Sequence, residues 1–343
     1  MDSMRQAWIP AADTVDVRTV ERPAPAEGEV LVATAQAGVC GSDLAALAGR
    51  HPFIDLPCTP GHEAAGTVVA VGGGVVDFEV GDRVLLEPNL VCGGCWYCTS
   101  GRYNLCEELE VFGCQTMGAL ADVFAVPSHR LHLVPDGMSW TAATMVEPLS
   151  TAVHATRLAG DLTGAAIAVL GAGSIGLLTV LAARAAGASS IAVTDPLDAK
   201  RERAEGLGAS CVFDPTEEDV VERIRGSLPR RPDVVFDCVA NQASTDQAIA
   251  LALKGGTILV VGVPHGAVTV PLELIQDREV RIQGSAMYTG TDVRAAIELA
   301  GREPAVESLV TARYPLDEAA AAFEAARSGS HVKVHVTISD DAE

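Results

Sequence analysis

The run VLGAGSIGLL, residues 169–178, decides the fold of this chain. Gly171, Gly173 and Gly176 stand in G-x-G-x-x-G spacing directly behind an apolar run, and an apolar helical pattern opens at Ser174 and Ile175. The first glycine allows a tight turn, the second lets a pyrophosphate approach the backbone, and the third lets helix and strand pack closely. The spacing alone also suits a glycine-rich turn in an α/β domain that binds nothing. Its surroundings favour a dinucleotide. The next β-type run, SSIAVTD, ends in Asp195, about 20 residues past the fingerprint, where an acid binds the adenosine ribose hydroxyls. That charge repels a 2′-phosphate, so the expected cofactor is NAD, with NADP disfavoured. Lys200 and Arg201, a turn further on, soften the preference.

From about residue 150 the chain alternates strand and helix: AAIAVLG, SIGLLTVLAARAAG, SSIAVTD, DAKRERAEGLG, CVFD, EEDVVERIRGSL, DVVFDCV, STDQAIALALKGG, TILVVGVP and EVRIQGS. Near-continuous apolar strands between helical patterns imply a parallel sheet covered on both faces, hence a doubly wound α/β (Rossmann) domain, assigned to residues 150–286. Before it, EVLVATAQAGV, AAGTVVAVGGG, DRVLLEP, ADVFAVP and RLHLVP read as short strands between Gly and Pro punctuation, an irregular β-rich domain over residues 1–149. After it, TDVRAAIELAGR and LDEAAAAFEAARSG read as amphipathic helices and VKVHVTI as a closing strand, so residues 287–343 return to the first domain.

Composition limits the partners. The 343 residues are 48% hydrophobic, and 24 basic against 45 acidic side chains leave a formal charge of −21. Such a surface repels phosphate backbones and anionic membranes, so no nucleic-acid or membrane partner is expected. MDSMRQAWIP lacks the basic and apolar regions of a leader, and no apolar run approaches a membrane span, which places the protein in the cytoplasm. Nine cysteines without an export signal argue against a disulfide framework and for metal or isolated thiols.

Two groups of residues point to metal. In CGGCWYCTSGRYNLC, Cys92, Cys95, Cys98 and Cys106 follow C-x2-C-x2-C-x7-C. Four thiolates close a tetrahedron around zinc and leave no open position, the structural type of site. A redox C-x-x-C needs a helix N-terminus to depress a thiol, and this stretch reads as glycine-rich loop. The second group is scattered: Cys40 in GVCGSDL, His62 and Glu63 in TPGHEAAG, and Glu147 in MVEPLS. Taken singly, these are a small buried thiol, a loop imidazole and a carboxylate capping a helix before Pro148. Taken together beside a dinucleotide domain they suit a catalytic zinc, which lowers the pKa of a bound oxygen to about 7.

GVCGSD, GHEAAG, VGDRV at residues 80–84, the four-cysteine lobe, EPL and GAGSIG occur in this order along essentially the whole chain. The chain thereby resembles the zinc-containing medium-chain dehydrogenase/reductase family, in its alcohol, polyol and threonine dehydrogenase branch, nearest by motif to the sorbitol dehydrogenase-like group. The resemblance implies a GroES-like β-rich catalytic domain, built from both ends of the chain, around a Rossmann domain. It implies two zinc ions per subunit, one held by Cys40, His62 and Glu63 with Glu147 as direct or water-mediated partner, the other by the four cysteines. It implies that the hydroxyl of Ser42 starts a proton relay, that backbone at Val263 and Ser285 faces the nicotinamide, and that subunits pair into homodimers or homotetramers through the edge strand near EVRIQGS.

The implied reaction is hydride transfer from a secondary alcohol to NAD, giving a ketone. Three positions depart from the pattern. Many relatives continue the relay through a His where this chain has Ala45, which leaves His51 or the ribose with water. The polyol enzymes carry Tyr and Arg where this chain has Ala46 and Met287, and a site without those polar handles cannot insist on hexitol hydroxyls. The expected substrate is therefore a diol, cyclitol or sugar derivative, in a cleft lined by Leu47, His51, Phe112 and Met287. A zinc-free quinone or enoyl reductase and a non-catalytic NAD-binding sensor share the fold, but neither needs the intact Cys40, Ser42, His62 and Glu63 set. His129, His132 and His154 read as structural, and Cys58, Cys114, Cys211 and Cys238 as buried thiols, with Cys114 alone in a loop able to line the pocket.

Overall fold

The structure is a computed structural model and describes residues 3–264 and 266–339. The chain divides into two compact units, one formed by residues up to Glu147 together with those from Thr289 onward, the other by Pro148–Tyr288.

The first unit is built on the strand Glu29–Val39. Its sequence, EVLVATAQAGV, is small and apolar at nearly every position, as a strand covered on both faces must be. The seven-stranded sheet runs Val310–Pro315, Lys333–Thr337, Glu29–Val39, Glu63–Val71, Arg83–Leu86, Leu131–Leu133, with Val123–Pro127 also pairing with Glu29–Val39. Antiparallel register sets Gly38 opposite Glu63 on one side and His335 on the other. An N-terminal hairpin, Ser3–Ala11 with Thr14–Glu21, was not legible in the sequence. Its second strand, TVDVRTVE, contains no fully buried residue, and its apolar side chains are three valines among charged and hydroxyl residues, which read as an exposed stretch.

The second unit is a six-stranded, wholly parallel sheet in the order Cys211–Phe213, Ser190–Thr194, Ala166–Leu170, Val234–Asp237, Thr257–Val260, Arg281–Gly284. In chain order this is 3-2-1-4-5-6, the doubly wound arrangement that the alternating pattern implied. The glycine fingerprint follows Ala166–Leu170, the strand at which the order reverses, and opens the helix Ser174–Ala185. One helix, Leu272–Arg278, was not anticipated; seven residues after a proline are too few to show a helical period.

One expectation is corrected. Glu147 does not cap a helix end: it lies inside the 20-residue helix Trp140–Ala159, which runs on through Pro148. Proline removes one backbone donor but does not oblige a helix to stop when packing holds both flanks.

A buried carboxylate ties the four-cysteine lobe to the first unit. Glu87, 2% exposed, accepts hydrogen bonds from the Tyr103 hydroxyl (2.6 Å), Arg130 Nη1 (2.9 Å) and His132 Nε2 (2.8 Å). The Tyr103 oxygen accepts in turn from the backbone N–H of Gly290, the first residue of the helix Gly290–Arg302. Burial alone would push the Glu87 carboxyl up, but the bonds from His132 and Tyr103 and the charge of Arg130 outweigh it and hold the group below its ordinary value. A depressed carboxylate contributes stability that is complete above its unfolded pKa, about 4.3, and is lost as pH falls through the folded value. Glu87→Gln should therefore cost about 3 kcal/mol at pH 7 by chemical denaturation, because Arg130 is left buried beside a neutral amide. The gap should narrow below about pH 4; a gap that does not change with pH would show that the charge of Glu87 is not what holds the lobe.

Candidate metal centres and dinucleotide site

The motif CGSD forms the start of a short helix. Cys40 is the N-cap of Gly41–Leu47, and Asp43, three residues on, accepts from the Cys40 N–H at 2.8 Å, the carboxylate half of a capping box. Its other oxygen lies 3.6 Å from His62 Nδ1. One buried acid thus holds both the backbone of Cys40 and the ring of His62, the outer partner that orients a ligating histidine. Asp43 was not singled out from the sequence. The signal was present, since an acid at the third helical position after a cap is a capping pattern.

Cys40, His62 and Glu63 each point a potential ligand atom to one place, all within 4.8 Å of one another. His62 is 5% exposed and Glu63 is fully buried. A thiolate, an imidazole and a carboxylate at this spacing fit zinc, and three protein donors leave a coordination place for an exogenous oxygen. Burial disfavours the imidazolium of His62, yet Asp43 and the thiols of Cys114 and Cys40 favour it more strongly, and the ring stands well above its ordinary value. A metal arriving there displaces a proton. The Ser42 hydroxyl lies 3.4 Å from His62 Nε2, and Cys114 Sγ 3.9 Å from His62 Nδ1. Glu147 is buried but does not belong to the set gathered within 4.8 Å.

Lys333 is the second residue missed. It is 4% exposed on the strand Lys333–Thr337, and its ammonium forms an ion pair with Glu63. Burial pulls the ammonium down, but Glu63 and Cys40 more than offset this, and the group stands above its ordinary value. A lone lysine in VKVHVTI carries no sequence signal, because its partner is 270 residues away.

The four cysteines converge as the spacing predicted. Their sulfurs are 3.5 Å (Cys92–Cys106), 3.6 Å (Cys95–Cys98), 3.9 Å (Cys95–Cys106) and 4.0 Å (Cys92–Cys98) apart. A zinc tetrahedron with Zn–S near 2.3 Å has edges of about 3.8 Å, whereas a disulfide needs about 2.05 Å. The set fits zinc. The stretch is not all loop, however: Cys95 caps a single helical turn, Trp96–Thr99, and backbone N–H groups of Glu107 and Cys98 bring its thiol down to about 6. Those donors stabilise thiolate, which zinc requires.

In the second unit Gly171 has φ +92°, outside the range of most side chains, and a Cβ on Gly176 would collide with the Gly171 carbonyl. No atom lies within 4 Å of a Cβ built on Gly173, so the side facing a pyrophosphate is open. The hydroxyls of Ser174 and Ser285 are buried without a hydrogen-bond partner, as polar groups waiting for a ligand would be. Ile175 is half-buried beside them, and Val263 is 50% exposed just beyond the strand Thr257–Val260. Asp195 accepts from Ala172 N (2.9 Å) and Leu197 N (3.0 Å), locking the glycine turn to the end of Ser190–Thr194. Arg201 is tied to the Asp195 carbonyl and paired with Asp198 and Asp214. Lys200 is half-buried. Leu47 and Phe112 belong to the apolar core of the first unit and His51 is half-buried; of the residues expected to line the substrate site, the two core side chains are therefore less accessible than supposed.

Among the described residues no helix is long and apolar enough to cross a membrane. Residues 26–136 match the family model of the alcohol dehydrogenase GroES-like domain, and residues 174–302 that of zinc-binding dehydrogenases. Sorbitol dehydrogenase of Ovis aries is 34% identical over 92% of this chain and 90% of its own length. A protein of Sinorhizobium meliloti described as a zinc-binding dehydrogenase, solved with NADP bound, superposes with a TM-score of 0.92 at 34% identity, over 98% of this chain and all of that one. The 2R,3R-butanediol dehydrogenase of Bacillus subtilis does so with a TM-score of 0.91 at 30% identity, again over 98% and 100%. Fold, motifs and relatives agree: the chain belongs to the zinc-containing medium-chain dehydrogenase/reductase family, in its polyol dehydrogenase branch, and is an alcohol-type dehydrogenase acting on a small molecule with a nicotinamide cofactor.

Proposed function

We infer that the protein oxidises a secondary alcohol, a diol, cyclitol or sugar derivative, to a ketone with NAD as acceptor. The observation that carries this reading is the gathering of half-buried Cys40 with buried His62 and Glu63, and Asp43 behind them. Zinc held there would supply Lewis acidity toward the alcohol oxygen, and nicotinamide the hydride acceptor. The rest falls to the chain. Asp43 lies against the ring of His62, and the Ser42 hydroxyl receives the proton of the alcohol while passing its own onward; with no acceptor at Ala45, that proton reaches solvent through His51 or the nicotinamide ribose with water. Glu147 serves the charge balance of the site rather than the primary ligand set. The buried methyl of Ala46 offers no hydrogen bond to a substrate hydroxyl, which supports a substrate other than a simple hexitol. A second zinc at Cys92, Cys95, Cys98 and Cys106 is structural. The strand Arg281–Gly284, exposed throughout, is the edge through which subunits pair into a dimer or tetramer.

The reading is tested by NADH formation across a panel of diols, cyclitols and sugar alcohols, with metal analysis of each protein. Wild type should carry two zinc ions per chain, and Cys40→Ser one, with turnover reduced at least about 100-fold. Undiminished turnover in Cys40→Ser would sink the metal mechanism, and a zinc-free protein that reduces quinones or enones would replace it.

Asp195 supports NAD because its carboxylate closes the ribose end of the site while the acids around Arg201 occupy the nearest guanidinium. Wild type should show higher kcat/KM with NAD than with NADP, and Asp195→Ala should shrink that preference by about tenfold or more. Equal or better use of NADP by the wild type would overturn the cofactor assignment.

A further inference from the structure

The pair Lys333–Glu63 sits in a space that the sequence clears for it. Gly38 lies opposite both Glu63 and His335 in the sheet, and because side chains alternate, Lys333 shares its face. A Cβ on Gly38 would fall on the Glu63 carboxylate and 3.1 Å from Lys333 Cε. The missing side chain of the central strand is therefore what lets a lysine from one neighbouring strand reach a carboxylate on the other. His335 on the same face is held well below its ordinary value, first by burial and then by Lys333 and Arg313, and stays neutral. Lys333 is thus a buried cation paired with a carboxylate of the candidate metal set.

A buried carboxylate without a cation is costly, and a lysine placed to relieve that cost is also a competitor for the metal that binds the same oxygens. Resting on the metal site inferred above, we propose that Lys333 is a positioning residue, the resident counter-cation of the Cys40 centre. It holds Glu63 in place when the metal is absent and shares the carboxylate when the metal is present. Sharing weakens Glu63 as a donor, so the centre stays electron-poor toward an alcohol oxygen and the ligand set stays folded before loading.

The test compares wild type, Lys333→Met and Lys333→Arg as full-length protein, stripped with a chelator and then reloaded with zinc. Melting temperature is measured in both states, and zinc affinity at the Cys40 centre by competition with a chromogenic chelator, using Cys40→Ser to subtract the four-cysteine site. Lys333→Met should melt lower than wild type when stripped, gain more on zinc addition, and bind zinc at this centre roughly tenfold tighter, because a competing cation has gone. Lys333→Arg should keep the wild-type values. A pair that is merely structural lowers both melting temperatures equally and leaves affinity unchanged, and that result, or weaker zinc binding in Lys333→Met, overturns the proposal. Should stripped Lys333→Met fail to fold, Lys333→Gln, which keeps a hydrogen-bond donor, is read by the same criteria. Wild type binding no more zinc than Cys40→Ser would instead overturn the metal site itself.

Discussion

The first unit answers to one constraint, the burial of an imidazole and two carboxylates next to a half-buried thiol beside the central strand Glu29–Val39. Groups of this kind leave water only at a cost of several kcal/mol each unless they are paired. The fold meets that cost locally. Asp43 is anchored to the backbone of Cys40 and faces His62, while Glu63 faces Lys333 across the space above Gly38. Each ligand is therefore held by a partner that is not itself a ligand.

The two candidate metal centres represent opposite solutions. At the four cysteines all donors come from one short loop and one helical turn, and the lobe is attached to the unit through Tyr103 and Glu87. At Cys40 the donors come from a helix start and a strand start, and their supports from that same helix and from a strand near the end of the chain. The first is local and closed; the second is assembled from distant segments and leaves a coordination place. Density of cysteines in sequence is thus a guide to structure, and sparse residues on separate elements are the guide to chemistry.

The second unit shows how little polar chemistry a dinucleotide site needs when backbone does the work. Gly171, Gly173 and Gly176 supply turn, access and close packing, and Asp195 braces the turn. The hydroxyls of Ser174 and Ser285, buried without a partner, are the remaining polar groups there that a ligand could satisfy.

The sequence by itself determined the elements whose signals are local. Strand and helix alternation after residue 150, the glycine fingerprint with Asp195 and the four-cysteine spacing were legible from period or spacing within a few dozen residues, and the candidate ligands Cys40, His62 and Glu63 from the motifs GVCGSD and GHEAAG. Only the tertiary structure decided what depends on register between distant strands. Lys333 reaches Glu63 because His335 and Glu63 flank the same glycine, and Glu87 gathers Tyr103, Arg130 and His132 because three loops and strands converge on it. The structure likewise places Glu147 in a helix interior, outside the group of Cys40, His62 and Glu63 gathered within 4.8 Å, and gives Cys95 a helical turn to cap. The physical reason is the same throughout. A charge is stabilised by whatever partner packing brings within a few ångström, and sequence distance carries no record of that partner until the chain has folded.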